Sequence, residues 1–507
     1  MHTSNDRFSG RVSSRLMFWS FFLLLWVISC WPFWAYPSPG LVDYHNHLAR
    51  LHILTGHLPE GWSAFYMVRH EWVPNLALDI LAKCFVDVGL SPETSLRVFA
   101  AMAFFSIPVG VLALSRSVNE DFPWMVLWAF PLAFNLYFIY GFLNYIFSIG
   151  LALLVMALWV STRPLKGQLA LLLAHACIAA LLAVLLVSHL MGYGLAAAAI
   201  SLYELGRIYP SGLPRKALAG RVALLMLTVL PSAIFYLVGF DHSKPPEIQY
   251  FNILRAKLVG VFSPFLAYYG PAAMAAVAAF AVGLCVGLGK LAFAPRTWPA
   301  SSFLPVAGMF LLFLVAPSAM MGSYSLDRRL FICVVLLFLG LAVVRLPSRQ
   351  ALAMGLVAVL LQLGKVVEVS TVWATQSRVM SQVEAAVQQI PVGAKVGGAS
   401  FTDTGSFEIP PLRHALMVAL IERSAFVPNL FAQPFNGESV AYRREYQVRH
   451  QALLSALRPD DPVPWDFVCS NYEYFLLTYM SRFPKTPACL HLLGEGEGFN
   501  LYSVIKP

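Results

Sequence analysis

Long runs without a charged residue follow one another along the chain and predict repeated crossings of a membrane. About 20 consecutive apolar residues are enough to cross the hydrocarbon core of a bilayer. Two runs, 122–162 and 167–203, are too long for one helix, and we divide them at 135–144 and near 188–194. The pattern predicts about eleven spans in all. The others lie at about 16–36, 97–114, 221–240, 265–289, 302–322, 329–346 and 350–370.

Two stretches break this pattern. The first outer loop, 37–96, has leucines at helical spacing that predict a helix at 45–58 lying along the membrane interface. A second such helix is predicted at 74–86, and Pro92 is placed to open the helix of the second span. The other stretch, 371–507, has an ordinary density of charged residues. Within it we predict helices at 372–389, 413–423 and 447–457 and strands at 394–399 and 467–469.

The sequence therefore predicts an α-helical polytopic membrane module, 1–370, followed by a small soluble α/β domain, 371–507. Hydrophobic residues make up 58% of the chain and charged residues only 12%, against about 25% charged in soluble domains. None of the seven cysteines forms a CxxC pair, so neither a zinc ribbon nor a thioredoxin-like site is indicated. Cys469 and Cys489 would share an oxidising compartment, and both a disulfide and two free thiols remain open.

The distribution of lysine and arginine predicts the orientation of the chain. Three arginines precede the first span, and the loops on the same side hold most of the other loop cations. Cytoplasmic loops carry such an excess, so we expect a bacterial inner-membrane protein with a cytoplasmic N-terminus and a periplasmic C-terminal domain. The first apolar run continues to Tyr36 without a cleavage pattern, which favours a retained anchor. The net charge of +9 is explained by this orientation, and no basic tract with interleaved aromatic residues indicates a nucleic-acid partner.

Asp43 is the most informative residue for function. It lies just beyond the first span, in the polar and aromatic segment 43–50, where it would meet substrates carried on lipid. A general base must reach the proton that it removes, and burial and neighbours tune its pKa. A solvated loop carboxylate and a helix N-cap are the alternatives, since Asp43 directly precedes a predicted helix.

Histidines near Asp43 raise the question of a metal site. His45 and His52 share a helical face, whereas His47 points elsewhere. No second acidic residue lies one or two positions from Asp43, so the DxD arrangement that often holds a divalent ion is absent. We expect no metal cofactor, although a divalent ion stays open as the less favoured alternative. For the histidines, a hydrogen bond to substrate or to Asp43 is the favoured interpretation, and for His47 plain interfacial packing is favoured further. His45 and Asn46 are the candidates for binding substrate here.

Cations on the predicted outer side are candidates for binding a lipid-linked phosphate. For those of the first outer loop the alternative is an ion pair with Glu60, Glu71 or Asp79, or contact with lipid headgroups. For Arg328 the alternative is a local ion pair of Asp327 with Arg328 or Arg329. Buried polar residues at membrane depth are functional candidates as well, because they are costly unless satisfied. The candidates are Arg50, Arg69, Asn144, His189, Arg255, Lys257 and, foremost among the cations, Arg328.

This layout resembles the GT-C superfamily of integral-membrane glycosyltransferases, which includes protein mannosyltransferases and the lipid A aminoarabinose transferase. The resemblance rests on one span, an outer loop with an early acidic residue, a helical bundle and an outer domain. More narrowly, the chain is similar to uncharacterised bacterial membrane proteins of this type. The segments that carry this similarity are 43–50, 141–145, 188–189, 203–205 and 422–428.

The resemblance implies that Asp43 is the base, that the sugar arrives on a polyprenyl phosphate, and that outer cations hold the phosphate. Tyr44 departs from the mannosyltransferase pattern, in which Glu follows the Asp, so the acceptor class stays open. The leading hypothesis is an inner-membrane glycosyltransferase using a polyprenyl-phosphate-linked sugar donor and an unknown glycan, lipid or protein acceptor. A transporter or flippase for a lipid-linked saccharide and a non-catalytic assembly subunit are the alternatives.

Overall fold

The structure is a computed structural model, and the chain divides into two compact units. The bundle unit comprises 1–31, 101–138 and 143–368, and the sheet unit comprises 32–100, 139–142 and 369–507. The first outer loop is therefore grouped with the C-terminal residues. The residues described are 3–69, 74–119, 123–163, 165, 167–212, 214–239, 248–268, 270–293, 298–320, 323–342, 347–401, 412–432, 439–447, 455–457, 463–479 and 485–506.

Helices form most of the described chain. In chain order they are α1 (Thr3–Ala35), α2 (Tyr44–Thr55), α3 (Ala77–Asp87), α4 (Pro92–Val118), α5 (Ala129–Ala133), α6 (Leu136–Tyr140), α7 (Leu143–Ser161), α8 (Gln168–Ser188), α9 (Leu190–Ile208), α10 (Arg215–Gly239), α11 (Ile253–Phe262), α12 (Pro271–Phe293), α13 (Ala300–Val315), α14 (Leu326–Leu341), α15 (Ser348–Val387), α16 (Met417–Arg423), α17 (Arg444–Gln447) and α18 (Trp465–Asn471). Short 3-10 turns cover Trp62–Ala64 and Trp124–Trp128.

The prediction of a polytopic helical membrane protein is confirmed. Within the described residues, six helices are long and apolar enough to cross a membrane, namely α4, α7, α8, α10, α15 and the part of α1 from Arg15. Shorter apolar helical stretches cover Trp124–Tyr140, Pro271–Gly283 and Ala300–Val315. Most predicted spans therefore correspond to an apolar helix.

Two spans differ in detail from the prediction. The third consists of the 3-10 turn Trp124–Trp128 and α5, and a further short helix, α6, lies in the predicted turn after it. The Asn135 side chain starts α6, because it accepts the backbone N–H groups of Tyr137 and Phe138 at 3.0 and 3.1 Å. The last predicted span and the predicted helix at 372–389 are one continuous helix, α15. No proline interrupts α15, so nothing in its sequence ends the helix at the membrane boundary.

The C-terminal residues form the predicted small α/β domain. Over the described chain the strands are β1 (Tyr66–Val68), β2 (Ile248–Gln249), β3 (Ala319–Met320), β4 (Ser323–Tyr324), β5 (Val396–Phe401), β6 (Val440–Tyr442), β7 (Ser455–Leu457), β8 (Tyr474–Tyr479), β9 (Leu490–Gly496) and β10 (Phe499–Val504). Of these, β2, β3 and β4 form a small sheet of their own in the bundle unit. The main sheet has the order β7-β5-β8-β10-β9, with β5 parallel to β7 and β8, and β10 antiparallel to β8 and β9. A two-stranded antiparallel pair, β1 and β6, joins the first outer loop to the C-terminal residues.

Local predictions within this domain succeed in part. The strand predicted at 394–399 is β5, but the strand predicted at 467–469 is wrong, because these residues lie in α18. Pro464 precedes α18 and Asp466 lies in its first turn, both favourable at a helix start. Of the residues predicted as a helix at 447–457, the last three form β7 instead, and 448–454 lie outside the described residues. Cys469 and Cys489 form a disulfide with their Cα atoms 6.2 Å apart.

The helix α2 positions the candidate site. Its residues from Tyr44 to Ile53 are all buried, polar and apolar ones alike. The leucine stripe that predicted an interfacial helix packs within the sheet unit, where Ala49 and Ile53 join the hydrophobic core of the C-terminal domain. Gly56, in a left-handed conformation with φ of 69°, ends the helix. Since buried polar groups need hydrogen-bond partners, the polar residues of α2 are fixed by specific contacts.

Candidate functional site

Asp43 occupies the N-cap position of α2, yet its side chain does not cap the helix. The carboxylate instead lies beside His414, with 3.2 Å between Asp43 Oδ1 and His414 Nε2. Only 11% of the Asp43 side chain is exposed. Neither a solvated loop carboxylate nor an N-cap describes this arrangement. Asp43 is therefore a largely buried carboxylate with a histidine ring nitrogen beside it.

Asn46 connects this pair to the backbone of the C-terminal domain. Its amide nitrogen lies 3.2 Å from His414 Nδ1 and donates to the carbonyl oxygen of Asn429 at 2.8 Å. Its amide oxygen accepts the backbone N–H of Phe431 at 2.7 Å. Asn46 is fully buried. Asn46 is thus hydrogen-bonded to His414, whose other ring nitrogen lies 3.2 Å from Asp43, and we call these three residues the Asp43 relay.

A turn at Gly141 holds the backbone of Asp43 from the other side. The N–H of Asp43 donates to the carbonyl of Tyr140 at 3.1 Å, and the N–H of Val42 donates to the carbonyl of Ile139 at 3.0 Å. Gly141 has φ of +88°, and a Cβ placed on it would lie 2.9 Å from Asp43 Cβ. Only glycine combines this conformation with this approach. Gly141 is thus the residue of the second motif that contacts Asp43.

Two further histidines of α2 are buried and neutral. Burial lowers the pKa of His45 to about 4. Burial, followed by the charge of Arg50, lowers the pKa of His47 to about 4. His45 Nε2 shares a hydrogen bond of 3.1 Å with the Ser38 hydroxyl, and His47 Nε2 donates to the carbonyl of Gly141 at 2.9 Å. His47 therefore helps to hold the glycine turn against Asp43.

The cations of the first outer loop differ in their surroundings. Arg50 is buried and forms an ion pair with Asp79, whose second oxygen accepts the Ser439 hydroxyl at 2.7 Å. This pair is one of the alternatives that the sequence left open. Arg69 is half-buried, and its backbone N–H donates to the carbonyl of Ser439 at 2.7 Å. A role in substrate binding stays a prediction for both arginines.

In the bundle unit, cations gather at the start of α14. Lys257 of α11 donates to Asp327 Oδ2 at 3.1 Å and to the carbonyl of Ala316 at 2.8 Å. Asp327 is fully buried, and its other oxygen accepts the backbone N–H of Arg328 at 2.8 Å. The partner of Asp327 is therefore Lys257 and not the neighbouring arginine side chain. Gly260 permits this approach of α11 to α14, since a Cβ there would lie 3.2 Å from Arg328 Cα.

Arg328 remains available for an anion. Its side chain is half-buried, and its buried Nε has no hydrogen-bond partner in the described part of the chain. Arg329, one residue on, lies with its guanidinium 5.7 Å from the ring centre of Tyr145. Arg328 and Arg329 lie in the first turn of α14, and Lys257 reaches that turn through its ion pair with Asp327. The excess positive charge at a helix N-terminus favours a bound phosphate. Arg255, in the first turn of α11, is exposed.

The remaining predicted polar residues lie at the ends of α7 and α9. Asn144 is buried in the first turn of α7, next to Tyr145. Tyr145 donates to the backbone carbonyl of Arg329, and its ring centre lies 5.6 Å from that of His189. His189 caps α9, since its Nδ1 accepts the N–H of Met191 at 3.2 Å. The structure brings His189 and the start of α14 together through Tyr145.

Sequence reasoning missed two residues as site candidates. His414 lies in a run that reads only as a helix start, and nothing near it in the chain signals its partner. Lys365 of α15 is fully buried and donates to the carbonyls of Phe265 and, at 3.5 Å, Phe134. A lysine inside an apolar helix was a visible signal, because such residues are rare in spans and need partners.

Comparison with known proteins identifies the fold. The crystal structure of ArnT from Cupriavidus metallidurans bound to undecaprenyl phosphate is similar to this chain, with a TM-score of 0.54. The match covers 96% of this chain and 97% of that chain, at 13% sequence identity. No protein-family model and no curated protein matches the sequence. The chain has the ArnT-like GT-C fold that the resemblance implied, and at this identity the likeness shows the fold alone.

Proposed function

We propose that this protein is a bacterial inner-membrane glycosyltransferase. It transfers a sugar from a polyprenyl-phosphate donor to an acceptor on the periplasmic face, with Asp43 as the general base. The observation that carries this proposal is the buried carboxylate of Asp43, which leaves the helix uncapped and lies 3.2 Å from His414 Nε2 instead. The ArnT-like fold supports it, since the similar ArnT structure contains undecaprenyl phosphate.

The chemistry needs one base and no covalent intermediate. Asp43 takes the proton of the acceptor nucleophile as that atom attacks the anomeric carbon of the sugar. The bond from the anomeric carbon to the phosphate oxygen breaks, and polyprenyl phosphate leaves with the electron pair. One in-line displacement inverts the anomeric centre. Holding the reactants and the base in place supplies much of the rate enhancement in such a step.

The cations at the start of α14 are proposed to bind the donor phosphate. Arg328 is the leading residue, because Lys257 is occupied by Asp327 and by the carbonyl of Ala316. Phosphate leaves with added negative charge, so fixed cations stabilise the transition state more than the ground state. Arg255 is proposed as a contact for headgroups at the exposed start of α11.

An Asp43→Asn variant separates this function from its rivals. We would reconstitute the protein in vesicles with undecaprenyl-phosphate-linked sugars and an envelope acceptor fraction, and measure released undecaprenyl phosphate by mass spectrometry. Loss of a general base costs about 10²- to 10⁴-fold in rate. The variant should lose release by at least about 10²-fold while its melting temperature stays unchanged.

The matched control is Asp87→Asn, which removes an exposed carboxylate paired with Lys83 in the same unit. It should release undecaprenyl phosphate at the unsubstituted rate. Movement of the intact donor across the bilayer without release would support a flippase instead. Equal release by the Asp43 variant and the unsubstituted protein would refute the assignment of the base. An Arg328→Gln variant should weaken undecaprenyl phosphate binding by about tenfold, the loss of one charge-assisted contact.

A further inference from the structure

We propose that His414 and Asn46 are positioning residues for Asp43, with His414 acting as a neutral hydrogen-bond donor. This inference deepens the proposed function and rests on it for its catalytic meaning. In the proposal, Oδ1 of Asp43 is held by the histidine, and Oδ2 is the oxygen that receives the proton. The hydrogen-bond directions in the Asp43 relay lead to this assignment.

The first step fixes the orientation of the Asn46 amide. Its oxygen lies 2.7 Å from the backbone nitrogen of Phe431, and its nitrogen lies 2.8 Å from the carbonyl oxygen of Asn429. A backbone N–H only donates and a carbonyl only accepts. Turning the amide around would place two donors together and two acceptors together. The NH₂ group of Asn46 is therefore the one that lies toward His414.

The second step fixes the proton on His414. The Asn46 nitrogen lies 3.2 Å from His414 Nδ1 and can only donate there. Nδ1 must accept, so it carries no hydrogen, and the neutral ring carries its proton on Nε2. Nε2 is the atom 3.2 Å from Asp43 Oδ1. One assignment thus satisfies every contact in the relay, and an imidazolium would set the Nδ1 hydrogen against the Asn46 amide.

The third step gives the relay its direction. Because His414 Nε2 already holds a proton, the histidine donates to Asp43 and cannot take a proton from it. Oδ1 of Asp43 is the oxygen that faces His414 Nε2, at 3.2 Å, and the Asp43 side chain keeps 11% exposure. Oδ2 is therefore the oxygen left to accept the acceptor's proton. The order is the reverse of a Ser-His-Asp triad, in which the carboxylate orients the histidine.

The protonation state can be observed without any turnover. We would label the histidines with ¹⁵N in the full-length protein and compare its nitrogen spectrum at neutral pH with that of His414→Gln. The difference signal should show an unprotonated Nδ1 and a protonated Nε2. An imidazolium or an Nδ1–H signal for His414 would overturn the proposal, whatever the enzymatic activity of the protein.

Kinetic variants test the positioning role. His414→Leu removes the donor and should lower kcat by about 10²-fold, the cost of misplacing a reacting group by about 1 Å. The KM for the polyprenyl donor should stay the same, because the relay does not bind the phosphate. His414→Gln keeps an N–H near the position of Nε2 and should recover most of the rate. A purely structural histidine would show no such rescue at equal melting temperatures.

The control is His52→Gln, a buried histidine of the same helix that pairs with Glu93 at 2.8 Å and lies outside the relay. Its kcat should match that of the unsubstituted protein. Unchanged kcat in His414→Leu would overturn the positioning role. If even the unsubstituted protein releases no undecaprenyl phosphate, the proposed function fails. The nitrogen spectrum would still decide the hydrogen-bond assignment of His414 on its own.

Discussion

Adding one methyl group at Gly141, in Gly141→Ala, should displace Asp43 and lower activity although the Asp43 side chain is itself unchanged. Gly141 has φ of +88°, and an added Cβ would lie 2.9 Å from Asp43 Cβ and 3.0 Å from its backbone nitrogen. A left-handed conformation costs a residue with a Cβ about 1–2 kcal/mol. Inserting a methyl group into a closed contact costs about 1–3 kcal/mol more. Gly141→Ala should therefore destabilise the sheet unit by roughly 2–5 kcal/mol.

The effect on activity follows from the displacement. Carbon atoms in ordinary contact lie about 3.5–4.0 Å apart, so Asp43 must move by roughly 0.5–1 Å to make room. A displacement of 1 Å costs about 10²-fold in rate, so we expect a loss of about 10- to 100-fold. The assay is release of undecaprenyl phosphate at saturating donor, beside a thermal melt of the same preparation.

Gly56 offers the matched control for backbone strain. It also has a positive φ, of +69°, but a Cβ placed there would meet nothing within 4 Å. Gly56→Ala should cost only the conformational strain, about 1–2 kcal/mol, and should keep its activity. Two results together would refute the reasoning. Gly141→Ala would have the same melting temperature as Gly56→Ala, and it would release undecaprenyl phosphate within twofold of the rate of the unsubstituted protein.

Three further outcomes follow from the sheet unit. His45 and His47 are neutral when folded, with pKa values of about 4 against an ordinary 6.5. Their stabilisation is complete above pH 6.5 and is lost as the pH falls toward 4, by up to about 3 kcal/mol each, so the melting temperature should drop over that window. Replacing Cys469 and Cys489 by serine opens a loop with a sequence separation of 20 and should cost about 3 kcal/mol in a denaturant titration. Asp79→Leu leaves its buried arginine partner uncompensated and should cost about 3–5 kcal/mol, whereas replacing both partners with apolar residues should restore most of the melting temperature.

Periodicity predicted the membrane spans because each run of apolar residues carries its own signal. The helix α2 was also predictable, since its leucines recur at helical spacing. Where the observed helices differ from the predicted ones, a local feature of the chain explains the difference. Asn135 restarts the helix by accepting two backbone N–H groups, and a continuous α15 replaced two predicted helices because no residue between them breaks it.

For each contact in the candidate site, the sequence predicted one of the two residues but not its partner. Asp43 stood out by its place after the first span, but His414 lies 371 positions later, since 414 − 43 = 371. Similarly, Asp327 invited a pair with the adjacent arginine, whereas its partner is Lys257, 70 positions away. Tertiary packing chooses such partners, and residue spacing does not encode them. The meeting of Gly141 with Asp43 depends in the same way on the fold.

The most direct test of the central claim is a single-turnover measurement on protein preloaded with a polyprenyl-phosphate-linked sugar. Acceptor is added, and inverted product and freed polyprenyl phosphate are quantified together over time. The account predicts equal amounts of both from the unsubstituted protein, and a rate at least about 10²-fold lower from Asp43→Asn with the donor still bound. Product formation by Asp43→Asn at the unsubstituted rate, or retention of configuration at the anomeric carbon, would contradict it.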